Sequence, residues 1–159
     1  MAVLPLPDFR QKIKQTNFVV KVAKSFGIAK PKVAFLAASE QVLDSMPACM
    51  EAAALAKMVD RGQIRGCIAD GPLALDVAID NESVEIKKLV SPVAGDADCL
   101  VFPNIESANV FWKTNSKLSP GVRQAGMLVG TTAPCILASR ADSVDTKLNS
   151  IAEAVMSIL

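Results

Sequence analysis

Short uninterrupted apolar runs alternate along this chain with longer stretches in which apolar residues recur every three or four positions. From Phe9 to Phe26 the apolar positions Phe9, Ile13, Val19, Val20, Ala23 and Phe26 keep a helical spacing, with Gly27 placed to end the helix. Pro31 then introduces Val33-Ala34-Phe35-Leu36-Ala37, a continuous run of the kind that forms an interior parallel strand covered on both faces. Asp44 or Ser45 is the expected cap of a following helix, with Pro47 in its first turn and Gly62 at its end. Gly66-Cys67-Ile68-Ala69 reads as a second strand stopping at Asp70-Gly71-Pro72, and Leu73 to Ile79 as a short helix. The segment from Asn81 to Gly95 carries no regular period. Cys99-Leu100-Val101-Phe102 is a third strand, stopped by Pro103, before a helix over Ile105 to Leu118. After a loop at Ser119-Pro120-Gly121 come two close apolar runs, Met127 to Val129 and Cys135 to Ala138. Val144, Leu148, Ile151, Ala152, Val155 and Leu159 mark the expected buried stripe of a terminal helix.

This alternation predicts an α/β fold, a mostly parallel sheet flanked by helices. The expected organisation is an N-terminal helical segment over 1–30, an α/β domain over 31–138 and a C-terminal helix over 139–159. A chain of 159 residues can bury one core, removing about 70% of the surface its unfolded form exposes. With 17 basic and 16 acidic side chains, it has no strong field to attract nucleic acid or acidic lipid. No apolar stretch approaches the roughly 20 residues needed to cross a bilayer, and two prolines and a charge interrupt the first residues before a signal-peptide core forms. The expectation is a cytoplasmic protein with no membrane or nucleic-acid partner.

Cys49, Cys67, Cys99 and Cys135 stand singly in apolar or small-residue stretches, which predicts buried free thiols. The chain contains no histidine and no tyrosine. That composition excludes Ser-His-Asp and Cys-His catalysis, histidine-ligated metals and a histidine base, and leaves carboxylates, Lys, Arg, Ser, Cys and backbone groups. Neither a G-x-G-x-x-G turn nor a G-x-x-x-x-G-K-[ST] loop occurs, which disfavours a dinucleotide-binding dehydrogenase or a nucleoside triphosphatase.

In open parallel sheets ligands collect beyond the carboxyl ends of the strands. Four tips qualify: Ala38-Ser39-Glu40, Asp70-Gly71-Pro72, Pro103-Asn104-Ile105-Glu106, and Ser139-Arg140-Ala141-Asp142-Ser143. The last gathers a serine, an arginine and, with Asp145, two carboxylates before a helix N-terminus, which favours an anion. Its structural alternative has Asp142 capping the helix and Arg140 as a solvated charge. Asp70-Gly71-Pro72 reads first as a tight turn between strand and helix, and Asn104 more often as a helix cap than a ligand contact, whereas Asn109 within the helix is harder to explain by propensity alone. The loop Ser91-Pro92-Val93-Ala94-Gly95-Asp96 has small residues that admit a ligand close to the backbone. A carboxylate metal site from Asp70, Asp76, Asp96 and Asp98 lacks diagnostic spacing, and no metal is expected.

Taken together, these pieces resemble the phosphate acetyl/butyryltransferase family. The runs that carry the resemblance are Lys32 to Ala38 with Met46-Pro47-Ala48, Gly66 to Asp76 (with D-G-P-L-A-L-D), Ser91 to Asp98 (S-P-V-A-G-D-A-D), Pro103 to Asn109 and Ser139 to Ser143. They cover the chain from about Phe9 onward and are closer in wording to the butyryl branch. The resemblance is to the C-terminal half of such an enzyme, and it implies the second domain of a fold like that of isocitrate and isopropylmalate dehydrogenases, with 139–159 returning to a first domain. It implies the reaction acyl-CoA plus phosphate giving acyl phosphate plus CoA, with coenzyme A as substrate, no cofactor, and a homodimer or larger homo-oligomer. Ser139 and Arg140 fall on the family's Ser-Arg pair, for substrate hydrogen bonding and charge stabilisation. The acetyl branch places a catalytic aspartate where this chain has Thr146, so Asp145 and Asp142 both stay open as the base. Asp70, Gly71, Pro72, Asn104, Asn109 and Gly95 are the expected substrate-binding positions. A non-catalytic remnant that dimerises or binds CoA is the alternative.

Overall fold

The computed structural model describes residues 4–158. These fall into two compact units, one spanning Pro7–Pro103 and the other comprising 4–6 with 104–158. In the first, the chain runs α1 (Phe9–Ser25), β1 (Lys32–Leu36), α2 (Pro47–Asp60), β2 (Ile68–Leu73), α3 (Leu75–Ile79), α4 (Asn81–Lys87) and β3 (Cys99–Val101). The strands make a parallel sheet in the order β2-β1-β3, with Val33 opposite both Ala69 and Cys99.

The central strand β1 is the interior strand its apolar run predicts. Successive side chains of a strand point to opposite faces, and here the two faces belong to different clusters. Val33 and Phe35 pack with Val20, Leu55 and Ile64, while Ala34 and Leu36 pack with Leu73, Val77 and Val93. α1 starts at a capping box in which Asp8 Oδ1 accepts from the Gln11 amide and Gln11 Oε1 accepts from the Asp8 amide. Gly27, at φ 87°, follows its end.

The face that α1 buries holds Lys12 and Thr16 as well as Val20 and Ala23. Lys12 is only 5% exposed, and its ammonium donates to Glu51 of α2. Both residues line a cavity of about 10 Å³, together with Phe35 and Leu55.

Three local expectations are corrected. The N-cap of α2 is Met46, with no side-chain cap, rather than Asp44 or Ser45; Pro47 at the first helical position has no amide hydrogen, so the first turn has one fewer unpaired donor. β2 does not stop at Asp70 but continues to Leu73, which moves the start of α3 to Leu75. It can continue because Gly71 lies against β1: a Cβ at Gly71 would stand 2.7 Å from Phe35 Cβ and 2.9 Å from its carbonyl oxygen. The strand register shifts at this place, between Ala34 and Leu36. Finally, the irregular segment after Asn81 contains α4, capped by Asp80, which accepts from the Ser83 amide. α4 buries none of its residues, so it leaves no apolar stripe in the sequence.

The second unit contains α5 (Ile105–Leu118), β4 (Met127–Leu128), β5 (Cys135–Ile136) and α6 (Val144–Met156). The two apolar runs pair with each other as antiparallel strands, Met127 opposite Ile136. Ser150 and Ala154 form the buried side of α6, and Ser150 Oγ accepts from the Gly126 amide at 3.0 Å while donating to the Thr146 carbonyl. The stripe expected to be buried is therefore exposed: Val144 71%, Leu148 58%, Ile151 50% and Val155 53%. The small residues, not the branched ones, give the close approach on this helix. Leu159 lies outside the described residues.

Cys49, Cys67 and Cys99 are buried, but Cys135 is exposed, which corrects the expectation for the fourth thiol. Burial, with the Asp98 charge nearby, pushes the Cys99 thiol up to about 11. Burial also raises Cys67. Because the thiolate is the reactive form, these groups stay protonated at neutral pH.

Two measurements check this account. With a disulfide reagent at pH 8, Cys135 reacts fast and the other three thiols react only on unfolding; fast labelling of Cys99 would contradict its burial. Glu51→Ala strands a buried ammonium and lowers unfolding free energy by about 3–5 kcal/mol in urea titrations, whereas Lys12→Met with Glu51→Met costs less than roughly half as much.

Candidate active site

The segment leading from β5 into α6 turns on its own hydrogen bonds. Ser143 caps the helix, its Oγ accepting from the Thr146 amide at 3.1 Å. The cap expected at Asp142 is thus one residue later. Asp142 does different work: its Oδ2 accepts from the Ser139 amide at 2.8 Å, and its own amide donates to the Ser139 carbonyl at 3.1 Å. Its Oδ1 lies 3.8 Å from Lys113 Nζ of α5, and its side chain is only 7% exposed. Ser139 and Asp142 therefore close a four-residue turn, with Arg140 at its exposed corner.

The guanidinium of Arg140 makes no hydrogen bond or ion pair among the described residues. Asp145 is also exposed, in the first turn of α6. The tip thus offers a free planar cation and a carboxylate beside a helix N-terminus, whose amides add a partial positive charge. Ser139 Oγ accepts from the Ala141 amide at 3.4 Å, a long bond that leaves its hydroxyl hydrogen to donate elsewhere. Lys113 carried no sequence signal, since a lysine in mid-helix is ordinary. Glu153 of α6 is a further carboxylate the sequence did not single out: burial raises its pKa, and its Oε2 has no partner among the described residues.

In the same unit, Asn104 caps α5. Its Oδ1 accepts from the Ser107 amide at 2.9 Å and the Ser107 hydroxyl at 2.8 Å. Asn109 is exposed on that helix.

Asp70, Gly71, Pro72 and Gly95 belong to the other unit. Asp70 sits within β2, opposite Ala34, and its Oδ1 accepts from the Gly71 amide at 2.8 Å. Pro72 is buried after a cis Gly71–Pro72 bond. Gly95, at φ 90°, is buried where a Cβ would meet Asn81 Oδ1 at 2.0 Å; its amide donates to the Val77 carbonyl at 2.8 Å. Both glycines thus have packing reasons to lack a side chain. Each of the four aspartates weighed as metal ligands is engaged with a protein donor. Asp76 pairs with Lys87, Asp96 with Lys32, Asp98 accepts from the Lys32 amide, and Asp70 is bound to its own neighbour.

The profile described as phosphate acetyl/butaryl transferase matches residues 1–155. The chain is 51% identical over 150 residues to the phosphate butyryltransferase of Clostridium beijerinckii, covering 94% of this chain and 49% of that protein. Against the phosphate butyryltransferase of Clostridium acetobutylicum the identity is 49% over 150 residues, 94% of this chain and 50% of that one. A crystal structure of a branched-chain phosphotransacylase from Enterococcus faecalis superposes with a TM-score of 0.91 at 32% identity, covering 99% of this chain and 56% of the other. The chain spans about half the length of the curated relatives it matches.

Asp142→Ala leaves the Ser139 amide unpaired and costs about 1–3 kcal/mol of stability; Asp142→Asn, which keeps an acceptor, costs less. Thermal denaturation of the two variants checks the order, and equal midpoints would remove the turn-closing role.

Proposed function

Since the chain belongs to the phosphate acetyl/butaryl transferase family, we propose that it serves a phosphate acyltransferase, exchanging phosphate and CoA on a butyryl or another short acyl group. The observation that carries this reading is Arg140, an exposed guanidinium with no partner among the described residues, at a turn closed by Asp142 on the Ser139 amide.

In one direction a phosphate oxygen attacks the thioester carbonyl, the C–S bond breaks, and the CoA sulfur takes up a proton. In the other, the CoA thiol gives its proton to a carboxylate and its sulfur attacks the acyl phosphate, releasing phosphate. Negative charge grows on the carbonyl oxygen in both directions. Arg140 stabilises that charge and the phosphate through paired hydrogen bonds, and the Ser139 hydroxyl donates to the substrate. Of the two aspartates open as base, Asp142 is held by Ser139 and Lys113, so its burial and bonding favour a structural role. Asp145, exposed in the first turn of α6, is the carboxylate this reading assigns to proton transfer. Asn109 is assigned to substrate binding, and Asn104 through whatever its cap leaves free. In the other unit, Asp70, Gly71, Pro72 and Gly95 are assigned to it mainly through backbone groups, because packing already explains the missing side chains.

The reading extends to the second domain of an isocitrate/isopropylmalate dehydrogenase-like fold, a homodimer or larger assembly, cytoplasmic location, and coenzyme A as substrate with no cofactor. Among the described residues, no helix is long and apolar enough to cross a membrane. The uncovered stripe on α6 supports the expectation that 139–159 packs on a first domain such as the longer relatives have length to supply. The same stripe favours a second reading, in which this chain alone binds CoA without turning it over.

Purified protein mixed with butyryl-CoA and phosphate should release thiol, and Arg140→Ala should slow release by about 100-fold or more without altering the circular dichroism spectrum. An unchanged rate rejects the role of Arg140. No release at high protein concentration, with CoA still bound in calorimetry, selects the second reading.

A further inference from the structure

The most engaged cation in the unit spanning Pro7–Pro103 is one that the acyl-transfer scheme does not use. Lys87 ends α4, and the next residue, Lys88, turns the chain out of the helix at φ 51°, a left-handed conformation uncommon for a residue with a side chain. Lys87 Nζ lies 2.9 Å from Glu40 Oε1 and 2.9 Å from Asp76 Oδ2. Glu40 belongs to the segment leaving the carboxyl end of β1, and Asp76 to the first turn of α3, just beyond the carboxyl end of β2. One ammonium thus bridges two carboxylates from different strand exits. The hydrogen bond from Lys87 holds Asp76 below the usual carboxylate range, and the bonds to Asp76 and Glu40 raise Lys87.

α3 is where several other constraints meet. The Ala37 amide donates to the Leu73 carbonyl at 2.9 Å, joining the end of β1 to the end of β2. The Gly95 and Ala97 amides donate to the carbonyls of Val77 and Ala78 at 2.8 and 3.0 Å. Asp70, Gly71 and Pro72 lie in the strand that leads into it. If Lys87 is removed, Glu40 and Asp76 face each other as unneutralised like charges, and both strand exits lose a common tie.

We propose that Lys87 is a positioning residue: by bridging Glu40 and Asp76 it fixes the exits of β1 and β2, and with them the Asp70–Pro72 segment, in the geometry that binds the CoA portion of the substrate. This rests on the acyltransferase reading for the identity of the ligand, but not for the mechanical role. Lys87 touches no reacting atom in this scheme. The clamp holds across neutral pH. Since the folded pKa of Asp76 is lowered, its contribution is present above the unfolded value of about 3.9 and is lost as pH falls through the folded value; since that of Lys87 is raised, its contribution is present below the unfolded lysine value of about 10.4 and is lost as pH rises through the folded one.

The test compares the unaltered chain, Lys87→Met and Lys87→Arg, first by amide hydrogen exchange and then by CoA titration in a calorimeter. Exchange in peptides covering 37–46 and 74–80 should quicken about 10-fold in Lys87→Met and stay near the unaltered rate in Lys87→Arg, which keeps the charge. The CoA dissociation constant should rise about 10-fold in Lys87→Met, with Lys87→Arg restoring it. Should Lys87→Met fail to fold, Glu40→Gln, which opens one side of the bridge, is expected to move the same peptides. Unchanged exchange overturns the positioning role whether or not CoA binds. Quickened exchange with an unchanged dissociation constant overturns its link to CoA. Failure of the unaltered chain to bind CoA rejects the acyltransferase reading of the ligand, while the exchange result still decides whether Lys87 holds the two exits.

Discussion

A strand covered on both faces and paired on both edges leaves its neighbours little freedom, and β1 is such a strand. Val33, Ala34 and Phe35 have no side directed to water, so both clusters of the unit must be built around them. α1 and α2 cover one face, and α3 with the loop before β3 covers the other. The demand reaches down to single atoms. β2 approaches β1 closely enough that only glycine fits beside Phe35. The same approach carries β2 past the point where a D-G-P sequence would ordinarily turn. The most recognisable motif of the chain is therefore first a packing solution, and any contact it makes with a ligand is set by the backbone path that β1 imposes.

Charges in this fold divide into those with fixed partners and those without. Lys12, Lys32 and Lys87 each hold carboxylates from elements distant in sequence. Asp142 is committed to the turn at Ser139. Against this background Arg140, whose guanidinium has no partner among the described residues, stands out, because ordering a long flexible side chain is worthwhile when a partner of matching geometry arrives. Exposure alone would not distinguish Arg140 from other surface cations; its place on a closed turn before a helix N-terminus does.

How much of this could be read from residues differs by element. β1 was legible because a continuous apolar run bounded by Pro31 has few other uses, and Asn104 was legible as a cap from its position before a helical period. α4 was not, since a helix that buries nothing shows no period. Lys12 was hidden because a lysine in a helix reads as solvated until its partner on another helix is known. The stripe on α6 was legible as a stripe, yet its burial was not, because periodicity identifies a face without identifying what lies against it. At the candidate site, spacing alone left Ser139-Arg140 no more than a turn before a helix; resemblance raised it. Only the fold separated Asp142, bound and shielded, from Asp145, exposed in the first turn of α6.

The bare face of α6 bears on how this protein behaves in a test tube. A row of branched apolar side chains at helical spacing is favourable to cover, and any partner that covers it binds the folded form in preference to the unfolded one. By mass action the measured melting temperature then depends on how much of that partner is present. If a second copy is such a partner, dilution alone lowers the melting temperature, and a stability quoted without its concentration is incomplete.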